Sequence, residues 1–403
     1  MNRKQLILIL LTGAVLGGIG LYVTRQKSES FQRKDKLATD KLLGDFPIND
    51  VAQVTLRQHN NEVSLVKGEV WTVKERGDYA ANAEDIIELA RKLWDLRPAQ
   101  SQKLGESQLG RMELLPPEKG GTNSATLVEL KGKDGKPIRS VLLGKKSMRG
   151  GGGDPMGGGG WPNGRWIYLP DRPGTAYLVS EAFSEIEPKP DRWLAKDFFK
   201  VEKIRSVAVT FPEATNSWKL SRETESGEWK LADAKAEEKL DSAKTSSLSY
   251  AMSSPSFTDI VIGAPAEQTG LDKPTTIALE TFDDFHYTLN VGAKTNENNY
   301  FSVAVAATLP QERAPGKDEK PEDKERLDKE FKEKQKKLEE KLAQEKKFGK
   351  WTYLVSSWTV DSLIKERSHF MAEIKEEPKP DSVNTDGDKP VVAPDTAEKP
   401  ESN

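Results

Sequence analysis

The residues whose types could do chemistry are few: three histidines, two glycine-lysine turns and some acidic residues in turns. His59, His286 and His369 stand on separate elements, without the close spacing by which a helix or turn gathers metal ligands. His59 adjoins Asn60-Asn61 in an expected turn, and His286 follows Phe285 at an expected strand start, so both read as surface residues. Gly144-Lys145-Lys146-Ser147 and Gly292-Ala293-Lys294-Thr295 each leave a strand as a phosphate loop would. Neither has the glycine required five positions before the Gly-Lys pair, and no amphipathic helix follows to offer its N-terminus to a phosphate. They read instead as repeated strand exits. Asp283-Asp284 and Asp171 are explained by turn chemistry. No HExxH, GxSxG or GxGxxG occurs in a fitting context, so no acid, base and nucleophile converge and no metal or cofactor site is expected.

Composition narrows the classes further. The chain has 403 residues, enough for two ordinary domains with tails. Its 61 Lys and Arg balance 64 Asp and Glu at a formal charge of -3, so nothing argues for nucleic acid as a partner. Cysteine is absent, which excludes disulfides, thiolate metal sites and a cysteine nucleophile.

The elements that would position any site begin with an apolar run. Residues 6–23 carry no charge and are flanked by Arg3 and Lys4 before and Arg25 and Lys27 after. Eighteen helical residues would span about 27 Å, close to a bilayer core of about 30 Å. A single transmembrane helix is expected in preference to a cleaved signal peptide, whose apolar region is usually shorter, with residues 1–5 cytoplasmic and the bulk on the periplasmic or extracytoplasmic side of a bacterial cytoplasmic membrane. Gly13 and Gly17 allow self-association through that helix. Residues 24–45 read as a stalk.

Beyond the stalk, one pattern occurs twice. Phe46, Ile48, Val51 and Val54 match Phe199, Val201, Ile204 and Val207 at a constant offset, each set opening an alternating strand. Val63-Ser64-Leu65-Val66 and Val70-Trp71-Thr72-Val73 extend the first copy as a meander. Asn82 caps a helix to about Leu96 that presents Ile86, Ala90, Leu93 and Trp94 on one face. Paired strands at 125–130 and 138–143 correspond to 276–280 and 287–291. The closing strand Ala176-Tyr177-Leu178-Val179-Ser180 returns as Thr352-Tyr353-Leu354-Val355-Ser356. The sequence therefore predicts an α+β protein: the transmembrane helix, then two tandemly repeated, antiparallel-sheet-rich α+β domains at 46–196 and 197–372.

Each copy carries an insertion. Residues 149–160 are nearly all glycine, a segment with little to bury. Residues 310–350 are rich in Lys and Glu, with Leu327, Phe331, Leu338, Leu342 and Phe348 as a narrow stripe. They read as a solvated helix, of coiled-coil character where the stripe meets a partner helix. Residues 373–403 read as a disordered tail. Trp71, Trp166, Trp229 and Trp351 are expected on strands as core residues, whereas Trp161, beside the glycine run, is expected to cover a sheet edge in preference to touching a partner.

The ordered set of motifs resembles a known family, the bacterial domain of unknown function numbered 4340. Residues 51–56, Leu143-Gly144-Lys145 and residues 177–186 carry the resemblance, and residues 204–209, 291–294 and 353–364 repeat it. Members have an N-terminal membrane helix and are often encoded beside an ABC-type transporter related to gliding-motility exporters. The resemblance thus implies a non-catalytic, membrane-anchored accessory or scaffold protein, with the cytoplasmic membrane and ABC-transporter subunits as partners. No catalytic residues are defined for the family. Two other classes remain open: an extracytoplasmic module holding a glycan or solute between the copies, and an envelope hydrolase, which would need converging carboxylates.

Overall fold

The structure, a computed structural model, describes residues 40–149, 160–235, 238–316 and 319–372. The expected transmembrane span, most of the stalk, nearly all of the glycine-rich insertion and the tail lie outside them.

Two antiparallel sheets dominate. The first contains β1 (Gln53–Gln58), β2 (Asn61–Lys67), β3 (Trp71–Val73), β4 (Tyr79–Ala80), β5 (Pro98–Lys103), β6 (Thr126–Lys131), β7 (Pro137–Arg149), β8 (Trp161–Tyr168) and β9 (Thr175–Val179). The second contains β10 (Ile204–Thr210), β11 (Trp218–Ser221), β12 (Lys230–Leu231), β13 (Asp259–Val261), β14 (Thr275–Thr281), β15 (Phe285–Thr295), β16 (Asn298–Ala307) and β17 (Thr352–Ser356). Their orders are β4-β3-β2-β1-β6-β7-β8-β9-β5 and β12-β11-β10-β14-β15-β16-β17-β13. Apart from β4 the sequence of pairings is the same. In both, a strand from the middle of the unit crosses over to pair with the last one.

Alternation explains the sheets. Val54 faces Leu65 and Leu130 across its two neighbours, and Val207 faces Leu220 and Leu279 in the same relation. All six are buried. Side chains two apart share a face, so these positions form one apolar surface on each sheet. Helix α1 (Ala83–Trp94) covers the first with Ile86, Leu89, Ala90 and Leu93. Its N-cap is Asn82, whose Oδ1 accepts from the N–H groups of Glu84 and Asp85 at 3.1 and 3.4 Å.

The expected class is corrected in two respects. Among the described residues only α1 and α2 (Pro321–Glu345) exceed five residues, so where sheet-rich α+β domains were expected the frame is two antiparallel sheets with few helices. The physical reason is that the apolar runs are short and alternate with period two, while the segment after Asp241 forms only a turn of helix (Ser242–Ser246) and a 3-10 turn (Ser247–Tyr250). Second, no helix among the described residues is long and apolar enough to cross a membrane. Helix α2, at 25 residues, has the length but consists mainly of Lys and Glu.

The coiled-coil expectation for α2 is likewise unsupported. Leu338 and Leu342, with Phe348 just beyond the helix, pack against the chain's own core. Glu345, buried at its last turn, accepts from Lys200 N at 3.0 Å and from the Tyr287 hydroxyl at 2.7 Å. Asp283 in the β14–β15 turn pairs with Lys334 at 2.7 Å and Lys203 at 3.1 Å. The helix is thus fastened to the second sheet along one face, and its other faces meet water.

Candidate functional site: the cleft between the two sheets

The two units are joined firmly. The connecting segment runs against both: Asn82 N donates to Trp193 O at 2.8 Å, Ala195 N to Ala80 O at 2.9 Å, and Val201 N to Met252 O at 2.8 Å. Arg76 Nε and Nη2 each meet an Asp259 carboxylate oxygen at 2.7 Å, a two-pronged pair from the first unit to β13. Between them lies an aromatic cluster. The buried Tyr79 ring stands edge-on to Trp351, Phe257 and Tyr353 at centroid distances of 5.2, 5.8 and 6.4 Å. Burial pushes the Tyr79 hydroxyl up to about 12, even though a hydrogen bond with Tyr353 works the other way. The turn before β4 must also approach closely. Gly77 has φ +63°, and a Cβ there would lie 3.1 Å from Ile262 and 3.2 Å from Trp351.

Beside this junction opens a cleft of about 700 Å³, within the size range of small-molecule sites. Phe198, Phe348 and Trp351 are half-buried on its wall. Lys200, Glu202 and Lys347 are exposed at its rim. Phe198 is held by Tyr353 at 4.8 Å, Phe257 at 5.1 Å and Phe348 at 5.3 Å, so the aromatic wall is set before any ligand arrives. Lys341 Nζ donates to Lys200 O at 2.9 Å and fixes the end of α2 across the opening. Apolar ring faces with an amide, ammonium and carboxylate rim can stack on a ring and hydrogen-bond its substituents. This set was not legible in sequence, because its residues come from three separated stretches.

The residues singled out from sequence are scattered. His59 is exposed in the β1–β2 turn, His286 lies on β15, and His369 is exposed near the end of the described chain. Among the described residues no three His, Asp or Glu side chains are grouped so as to hold a metal ion. Asp171 is exposed in a turn, and Asp283 is engaged by its two lysines. Trp71 and Trp166 lie on strands, but Trp229 and Trp351 lie just before them. Trp229 stacks on the Arg222 guanidinium at 4.8 Å. Trp161 does not cover a sheet edge. It is 85% exposed at the start of β8, where among the described residues only β7 pairs with the strand.

The lysine turns have a structural explanation. A Cβ on Gly144 would lie 2.6 Å from Met112 O, and one on Gly292 would lie 2.2 Å from Thr269 O. In both units a short helical turn presses its backbone against the strand at this glycine. Sequence reasoning assigned the glycine to the strand exit but missed the segment that demands it. Below Gly144, the buried Arg165 donates to Gly144 O at 2.8 Å, Phe183 O at 3.0 Å and Leu143 O at 3.5 Å. Burial pushes its guanidinium down to about 10. Asn299 holds the corresponding place, beside Gly292.

The fold defines a two-sheet antiparallel protein with a preformed cleft at the joint. A family model described as a domain of unknown function, DUF4340, matches residues 71–274, just over half of the chain. The chain belongs to that family. The match runs from β3 to the threshold of β14, so it takes in Arg76, Tyr79, Phe257 and Asp259 of the joint but not Phe348, Trp351 or Tyr353. No curated protein and no solved structure matches the chain.

Proposed function

We propose that the protein is an accessory or scaffold component of an envelope ABC-type transport complex, acting on the extracytoplasmic side of the bacterial cytoplasmic membrane without catalysing a reaction itself. The observation that carries this reading is the joint. The Arg76–Asp259 pair and the Tyr79 cluster resist hinge motion between the sheets, and a stiff two-sheet body suits the spacing of partners better than closure on a substrate. The transport complex comes from the family resemblance. Purification from gently solubilised membranes is expected to bring down ABC-transporter subunits. Repeated recovery of the protein alone would overturn the reading.

A second reading rests on the cleft, whose half-buried Phe198, Phe348 and Trp351 face an opening of about 700 Å³. A ligand-binding module for a glycan or ring-bearing solute would use them as stacking surfaces. Thermal-shift screening with envelope glycans separates the two: stabilisation that disappears in Trp351→Ala favours the module, and no response to any glycan favours the scaffold.

A further inference from the structure

Each sheet has two edges, and three of the four are closed or short. At β4, Ala80 O accepts from Ala195 N at 2.9 Å and Ala81 bridges Leu194, so the connecting segment covers that edge. β12 is two residues long. On β13, Ile260 N donates to the Asp259 carboxylate at 2.8 Å, and Arg76 of the first unit holds the same carboxylate. β5 is the exception. It pairs with β9 alone, and Ala99 to Lys103 are all exposed. Leu104 N donates to Gly174 O at 3.0 Å, with Lys103 opposite Thr175. Alternation therefore turns the backbone groups of Leu104, Gln102 and Gln100 toward β9, and those of Ser101 and Lys103 away from the sheet. Neither outward N–H meets an acceptor among the described residues. The next outward N–H, on Gly105, is taken by Gln108 Oε1 at 3.0 Å, and a bulge between Pro98 and Gln100 ends the regular pairing on the other side.

We infer that β5 pairs antiparallel with β5 of a second copy of this chain, about a two-fold axis at Gln102, so that Ser101 of each copy faces Lys103 of the other. The outward residues then exchange N–H···O bonds in both directions, which satisfies the edge. This register sets Gln102 against Gln102 and Gln100 against Leu104, so no like charges stand opposite each other, and the bulge stays outside the paired stretch. A foreign strand added to an edge gains its specificity from pockets for alternate side chains. Here the side chains of Ala99 to Lys103 stand in water without a hydrogen bond or ion pair among the described residues, so backbone pairing is what the edge offers, and an identical strand supplies it. A ladder this short buries less than the roughly 1,200 Å² of a stable complex, so the association is weak and concentration-dependent. The inference does not depend on the identity of the transport partner.

The absence of cysteine allows a local test on the full chain. Gln102→Cys is expected to form a disulfide-linked dimer on mild oxidation, because the facing Cα atoms at the axis would lie about 4.5 Å apart. Ser101→Cys, one residue off the axis, should not link, since its Cα atoms would be about 8 Å apart, beyond a disulfide's reach of about 7 Å. Val70→Cys, exposed in the β2–β3 turn, is the control site. Sedimentation of the unaltered chain should show a dimer whose share rises with concentration. Ser101→Pro removes an N–H that β9 does not use, a change an edge strand tolerates, and loss of two hydrogen bonds should raise the dissociation constant on the order of thirtyfold. Ser101→Lys keeps the backbone but sets a lysine opposite Lys103 of the other copy, and should weaken the dimer as well. A monomer at every concentration without a link at 102, equal linking at 70, 101 and 102, or a dimer unmoved by both Ser101 variants would each overturn the assignment. Slow hydrogen exchange at Ser101 and Lys103 in the dilute monomer would mean that the same chain fills the edge, and association that needs transporter subunits would make it a contact with them; either result likewise overturns it.

Discussion

The two sheets end in the same four-strand meander, β6-β7-β8-β9 in one and β14-β15-β16-β17 in the other, yet each has grown at a different turn. The first is lengthened between its second and third strands, where β7 and β8 run on as an arm. The second is lengthened between its third and fourth, where α2 is inserted. The unlengthened turns stay short: Thr295 pairs with Asn298 in the second unit, and six residues join β8 to β9. Hairpin ends accept new chain because their backbone groups already face water and no partner strand is displaced. What cannot vary is the glycine at the crossing point, Gly144 or Gly292, since a backbone carbonyl occupies the space of a side chain in both units.

Separating the units is the severest way to break this comparison. Tyr79→Ala removes a buried ring from the joint and should cost about 3–5 kcal/mol. Thermal unfolding should then split from one transition into two, and a single transition at unchanged temperature would show that the joint contributes little. The buried polar groups test how far the units differ. Arg165→Met strands three carbonyls and should cost about 3 kcal/mol, whereas Asn299→Leu should cost about 1 kcal/mol. Equal losses in urea titrations would remove the distinction.

The glycines test how far the units agree. Gly144→Ala and Gly292→Ala should each destabilise by about 1–3 kcal/mol, with Gly292 the more sensitive because its Cβ would come closer to a carbonyl oxygen. Tolerance at one site only would mean that the helical turns pack differently in the two units.

The smallest effect concerns the fastening of α2. Burial raises the Asp283 carboxyl, but Lys334 and Lys203 outweigh it and hold the group below its ordinary value. A depressed carboxylate stabilises the fold above its unfolded pKa of about 4 and loses that contribution as pH falls through the lower folded value. Asp283→Asn should therefore speed hydrogen exchange in α2 at neutral pH, at a cost of no more than about 1 kcal/mol. The difference from the unmodified chain should vanish in acid, and a difference that persists there would assign it to shape instead of charge.

Strands with alternating apolar residues were legible because burial on one face imposes period two. Val54 and Val207, matched by sequence offset, occupy equivalent places in the two registers. Strands without that pattern were not. β5 buries only Pro98 of its six residues, and β13 is three residues long, so nothing in their composition announces pairing with the last strand of each unit. β11 was also missed, its four residues being too few for a clear alternation. The cleft was illegible for a different reason, since residues 79, 198 and 348 share no local pattern.

By itself, then, the sequence determined the strands of the two meanders, the cap of α1 and three of the four residues on its buried face, the sites of both insertions and the resemblance to the family. These depend on short-range periodicity and turn chemistry, which neighbouring residues encode. Only the tertiary structure decided that the units lock through Tyr79 and Arg76, that α2 lies along its own sheet, and that Trp161 is exposed where β8 begins. Each of these depends on which distant surface meets which, and on where a supporting strand stops.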